Sequence, residues 1–184
     1  VAAVAVVAMG QWTVSAEAPD CQSSDSVCSG SYSTVGGGYE NTVGGSYGFV
    51  GGGAENVIKS NEYTTVVGGG GNTATAAYSS ILGGYFNKVA DVATYSVVSG
   101  GFKNTVKDDG TTASIIAGGS TNIMTGKYAV ISGGYVNAVV GDWSTVSGGQ
   151  GNYIESNHGN IGGGQNNNVV ADGDWSFISG GSTN

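Results

Sequence analysis

The chain has 184 residues, of which 36 are Gly and one is Pro; only 10% are charged and 39% are hydrophobic. Thirteen Asp and Glu stand against five Lys with no Arg, giving a net charge of -8. That balance rules against nucleic-acid binding, which needs clustered Lys and Arg to neutralise phosphates and read bases, and against polybasic attachment to anionic lipid.

The first segment, Val1 to Ala16, reads VAAVAVVAMGQWTVSA. It has the apolar, small-residue character of a secretory leader, with Val14-Ser15-Ala16 placed like a cleavage site, and we read it as part of the mature chain. It is too short, and too interrupted by Gln11, for a spanning helix, so no transmembrane segment is expected in this chain. Two roles are open to it. It joins copies head to tail as a strand or short helix, with Val4, Val6, Val7 and Trp12 as the assembly residues, or it caps the chain's own first coil. Residues 17–31 read as a Cys-containing linker or cap. A disulfide between Cys21 and Cys28 is the favoured state over two free thiols, because the rest of the chain looks secreted.

From Tyr32 to Asn184 the sequence is a repeat. The string Gly-Gly-x-x-Asn occurs ten times, with first glycines at Gly37, Gly52, Gly68, Gly83, Gly100, Gly118, Gly133, Gly148, Gly163 and Gly180, spaced by 15, 16, 15, 17, 18, 15, 15, 15 and 17 residues. Two residues before each stands Val or Ile, from Val35 and Val50 to Ile161 and Ile178; four before, a small residue such as Ser33, Thr64 or Ala129. Strand alternation sends both positions inward. Six residues after the glycine lies a second apolar position, including Val43, Ile58, Met124 and Val169. Two short strands per turn, meeting across a thin core and joined at a glycine corner, define an all-β, single-chain parallel β-solenoid, or β-roll, of about ten coils of 15–18 residues with an apolar N-terminal segment. The glycine pair permits positive φ at the corner. The Asn after it tolerates left-handed geometry or bonds backbone, and stacked coils align the amides into a ladder. Five residues before the glycine is an aromatic column of Tyr32, Tyr47, Tyr63, Tyr78, Tyr95, Tyr128, Trp143 and Trp175, with Ala113 and His158 in the two other slots.

The Ser-x-Val-x-Gly runs at Ser33 to Gly37 and Ser144 to Gly148, each followed by a second short strand and turn, resemble the head repeat of YadA-like trimeric autotransporter adhesins and related fibre repeats. The resemblance covers about Tyr32 to Asn184. It implies a parallel β-roll, often trimeric, that serves as an adhesive or spacer module on a cell surface.

Candidate chemistry is sparse. His158 is the one histidine and occupies an aromatic slot, so no catalytic constellation is built on it. The runs Gly51 to Gly53 and Gly68 to Gly71 lack the Lys and Ser or Thr of a phosphate loop. Asp108, Asp109, Asp172 and Asp174 sit in enlarged turns; calcium-binding solenoids repeat their Asp in every coil, so solvated turns are favoured over a metal site. We therefore expect no catalytic, cofactor or metal site and no enzyme. The outward position three before the glycine is too irregular for the Thr array of an ice binder, and its Phe49, Ile115 and Phe177 point to a face covered by another chain. The expectation is an extracellular or cell-surface fibre or adhesin subunit whose partners are copies of itself. The alternative is a carbohydrate- or surface-binding module with Trp143 and Trp175 as stacking platforms for glycans.

Overall fold

The computed structural model describes residues 20–23, 25–59, 62–107 and 113–184. They form a parallel β-solenoid without helix, wound at about one coil per 15 residues. Every strand is two residues long, and the strands stack into two sheets along one axis. The first sheet has eleven strands, running from Asp20–Cys21 and Thr34–Val35 to Asn160–Ile161 and Phe177–Ile178. The second has ten, from Val27–Cys28 and Thr42–Val43 to Asn168–Val169. All neighbours are parallel, with Val35 paired to Val50 and Val50 to Val66. Coil pairing extends N-terminal of Tyr32, because Asp20–Cys21 and Val27–Cys28 add one further coil in the same register.

A third side was not legible from the repeat. After each glycine pair one residue makes a single parallel bridge to the next coil, in a column running Tyr39, Ala54, Gly70, Tyr85, Phe102, Ser120, Tyr135, Gln150, Gln165, Ser182. Its members share no chemistry because the bridge itself is made by backbone atoms alone.

The core is one residue wide from each sheet. Val35, Val50, Val66, Ile81, Val98, Ile116, Ile131, Val146 and Ile161 are fully buried and face Val43, Ile58, Ala74, Val89, Val106, Met124, Val139, Ile154 and Val169. β-Branched side chains suit this geometry, since their stiff χ1 packs well on a pleated surface. The small inward position lies beside them and is satisfied locally. The Ser33 hydroxyl donates to the Gly30 carbonyl at 2.6 Å, Ser79 to Ala76 at 2.7 Å and Ser144 to Ser156 at 2.9 Å.

The direction of backbone hydrogen bonding explains the corners. Strand N–H groups donate to the following coil, as in Thr34 to the Gly48 carbonyl at 2.9 Å and Thr42 to that of Asn56 at 2.8 Å. Two residues per coil donate the opposite way: Tyr47 to Ser31 at 2.8 Å and Glu55 to Tyr39 at 2.9 Å. Both have left-handed backbones, with φ of 55° and 57°. A left-handed residue flips its peptide, so each corner satisfies its N–H backward rather than leaving it orphaned.

Of the two roles expected of the Asn, it takes the second and bonds backbone. The left-handed residue at the glycine corner is the one before the Asn, as at Glu40, Phe86 and Lys103, while the Asn itself is fully buried. Its amide is the ladder. Asn56 Nδ2 donates to the carbonyls of Gly52 at 3.1 Å and Gly69 at 3.0 Å, and to Asn41 Oδ1 at 3.1 Å. The backbone N–H of Asn56 also donates to Asn41 Oδ1, at 3.0 Å. The same pattern runs from Asn41 to Asn184, so the Asn column replaces the strand hydrogen bonds that the corner interrupts.

Cys21 and Cys28 are joined by a disulfide that closes the first described coil, with Cα atoms 5.9 Å apart. No helix among the described residues is long and apolar enough to cross a membrane.

Candidate functional site

The aromatic column is a continuous stack broken once. Tyr32, Tyr47, Tyr63, Tyr78 and Tyr95 lie with ring centroids 4.6–5.3 Å apart and planes within 14° of parallel. Tyr128, Trp143, His158 and Trp175 form a second run, with separations of 5.5, 5.3 and 4.0 Å. His158 is thus a rung of the ladder. Its Nδ1 is buried without a hydrogen-bond partner, and both ring faces are covered by tryptophans.

Every rung has a left-handed backbone, with φ between 52° and 64° from Tyr32 to Trp175, Ala113 included. Aromatic residues rarely adopt this conformation. Here the flipped peptide sets the strain and offset stacking offsets it, at about 0.5–1.5 kcal/mol per pair. Tyr47 touches rings on both sides, so Tyr47→Ala is expected to cost about 1–3 kcal/mol in urea denaturation, from two lost pairs. Ala113 already accommodates alanine at φ 52°, so the loss isolates the stacking. An unchanged midpoint would show that the column contributes nothing.

The phenol of Tyr47 is held above the usual tyrosine range, first by its removal from water within the column and then by Tyr63 and Tyr32 on either side. Tyr39 is also raised, chiefly by its hydrogen bond to the Glu40 carboxylate.

The other edge residues serve the backbone. Asp174 Oδ1 accepts from the Asn157 N–H at 2.9 Å, Asn157 Oδ1 from Asp142 at 2.9 Å, and Asp142 Oδ1 from Lys127 at 2.8 Å. This short ladder beside the aromatic column gives Asp174 a structural bond. Asp172 is exposed, and Asp108 and Asp109 lie outside the described residues. Among the described residues no cluster of three or more His, Cys, Asp or Glu is placed to hold a metal.

Of the proposed assembly residues, Val4, Val6, Val7 and Trp12 lie outside the described residues. Phe49, Ile115 and Phe177 project from the outer face of the first sheet, 42%, 40% and 69% exposed. Ile115 is flanked in register by Val97 and Val130, making three successive apolar rungs. A second group was missed in the sequence. Val67, Leu82, Tyr85, Phe86 and Phe102 are exposed around the glycine corner, where Phe86 meets Tyr85 and Phe102 edge-on at 5.0 and 6.4 Å and the Lys103 ammonium lies 5.0 Å from the Phe102 ring. The signal was present at the positions flanking the glycine pair, but it occupies only a few coils and is diluted by Gly and Ser elsewhere.

Comparison of the chain with models of known protein families and with curated protein sequences finds no match to either.

Proposed function

We propose that this protein is an extracellular structural or adhesive subunit, a stiff rod that displays surfaces and associates with copies of itself. The observation that carries the proposal is the apolar stripe on the outer face of the first sheet, where Val97, Ile115 and Val130 follow one another and Phe49 and Phe177 stand exposed on the same face. Contiguous apolar surface on a rigid scaffold is the mark of an interface. The Cys21–Cys28 disulfide supports an oxidising location. The likeness of Ser33 to Gly37 and Ser144 to Gly148 to YadA-like head repeats supports an adhesin or fibre role at a cell surface. Head-to-tail joining through Val1 to Ala16 belongs to the same proposal.

The glycan-binding alternative finds less support. A sugar stacks on the face of an aromatic ring, and the faces of Trp143 are taken by Tyr128 and His158, with His158 also covering one side of Trp175.

Sedimentation velocity over a wide concentration range tests the reading. The natural sequence is expected to sediment as oligomers or filaments, and the triple variant Phe49→Ser, Ile115→Ser, Phe177→Ser as a smaller species with unchanged β circular dichroism. A natural chain that stays monomeric at every concentration would refute self-association.

A further inference from the structure

The third side of the solenoid carries acids at one end of a five-coil stretch and amines at the other, and we infer that it docks antiparallel on the third side of a second copy, about a two-fold axis at Gly70 and Gly71. Each coil gives this side a bridge residue and the residue after it: Tyr39-Glu40, Ala54-Glu55, Gly70-Gly71, Tyr85-Phe86 and Phe102-Lys103 in succession. Backward hydrogen bonds from Glu55 to Tyr39, Gly71 to Ala54, Phe86 to Gly70 and Lys103 to Tyr85, each 2.9 Å, hold the five in register. Glu40, Glu55 and Lys103 are exposed, as is Lys88 on the neighbouring second sheet, two residues after Phe86. The five coils beyond, from Ser120-Thr121 to Ser182-Thr183, have no charge on this side.

The charge order selects both partner and orientation. Glu40 and Lys103 are four coil steps apart, roughly 19 Å at about 4.8 Å per step, too far to pair within one chain. A two-fold axis at the middle coil exchanges the first with the fifth and the second with the fourth, so Glu40 meets Lys103 of the copy and Lys103 meets Glu40. The axis keeps the second sheets on one flank, which brings Lys88 beside Glu55 of the copy. Parallel docking would instead set Glu40 against Glu40 and Lys103 against Lys103. At the centre, the rings of Tyr85 and Phe86 fold back over the two glycines: a Cβ on Gly70 would lie 2.5 Å from Tyr85 Cε2, and one on Gly71 2.5 Å from Phe86 Cδ1. The bare glycines thus draw two rings onto the axis, where Tyr85, Phe86 and Phe102 stand 53%, 47% and 43% exposed. Aromatic residues at the centre with charges at the rim is the anatomy of a protein interface. The inference takes from the proposed function only that the partner is a second copy, and it uses a different side from Phe49, Ile115 and Phe177.

Sedimentation equilibrium of the Phe49→Ser, Ile115→Ser, Phe177→Ser variant tests this side apart from the sheet face. The patch is small, so that variant is expected to dimerise with a dissociation constant on the order of 100 μM. Adding Lys103→Glu or Glu40→Lys to it should each weaken the dimer roughly 10-fold, by turning attraction into repulsion at both ends, with unchanged β circular dichroism. Both substitutions suit the left-handed backbone, since the column already holds Glu at φ 51° and Lys at φ 54°. An equimolar mixture of the two charge variants should recover the dimer to within about 3-fold, because each chain offers the other the charge it lacks. A triple variant that stays monomeric up to about 1 mM, or a mixture no better associated than its components, overturns the proposal. Equal dimerisation by the natural sequence and the triple variant would refute the sheet face and leave this two-fold contact standing.

Discussion

Gly119→Ala is expected to destabilise the protein by about 3–5 kcal/mol, whereas Gly118→Ala, one residue earlier, should leave stability within about 1 kcal/mol of the natural sequence. The two glycines look alike in the sequence and occupy opposite environments. A Cβ on Gly118 would meet nothing within 4 Å. On Gly119, at φ 83°, it would collide with the backbone of the next coil at the Gly134 carbonyl and come 2.7 Å from Asn122 Nδ2. Neither neighbour can yield, because the amide belongs to the Asn ladder and the carbonyl to the coil itself. The cost therefore combines left-handed strain, overpacking and damage to a buried hydrogen bond. The difference should appear as a lowered urea midpoint for Gly119→Ala alone. Equal midpoints for the two variants would mean that the close coil approach at the second glycine is not a constraint on the fold.

Asn122→Asp is expected by itself to cost about 3–5 kcal/mol at neutral pH, although amide and carboxylate have nearly the same size and shape. Asn122 Nδ2 donates to the carbonyls of Gly118 at 3.0 Å and Gly134 at 3.2 Å and to Asn104 Oδ1 at 3.1 Å, while its Oδ1 accepts from the Asn137 N–H at 2.9 Å. A carboxylate there turns every donated bond into two oxygens facing each other, fully buried and without a cation. The introduced carboxyl is therefore raised above its unfolded value of about 3.9. The folded state then binds the proton more tightly than the unfolded chain, so the variant loses stability as pH rises from about 4 through the raised value, and regains part of it in acid. Denaturation at pH 3 and pH 7 checks the sign: the deficit relative to the natural sequence should be smaller at pH 3. A deficit independent of pH would place the Asn amide away from the carbonyls.

The inward columns were legible because burial imposes chemistry. Val35, Val50 and Val66 have one kind of neighbour and one volume to fill, so each coil repeats the choice, and the same holds for the glycine pair and for the Asn whose amide has a fixed set of partners. The left-handed rungs were not legible. Local preference reserves that conformation for Gly, Asn and Asp, and nothing in Tyr32 or Trp143 announces it. The backward hydrogen bond to the previous coil and the ring stacked above are both supplied by residues about 15 positions away. The bridge column from Tyr39 to Ser182 escaped for the opposite reason, since a backbone-only contact leaves composition free. In the aromatic column the residues themselves were evident in the sequence, but which ring faces cover one another needed coordinates.

The strand bonds of every coil, from Thr34 with Gly48 to Asn160 with Ser176, lie along the long axis of the molecule. Tension applied to the two ends of such a spring loads these bonds head-on and one coil at a time, not in shear across a whole sheet. Each coil that yields pays out about 50 Å of slack, from some 15 residues at 3.3–3.6 Å each, while the coils beyond it stay wound. The geometry therefore favours stepwise extension under load over a single cooperative rupture.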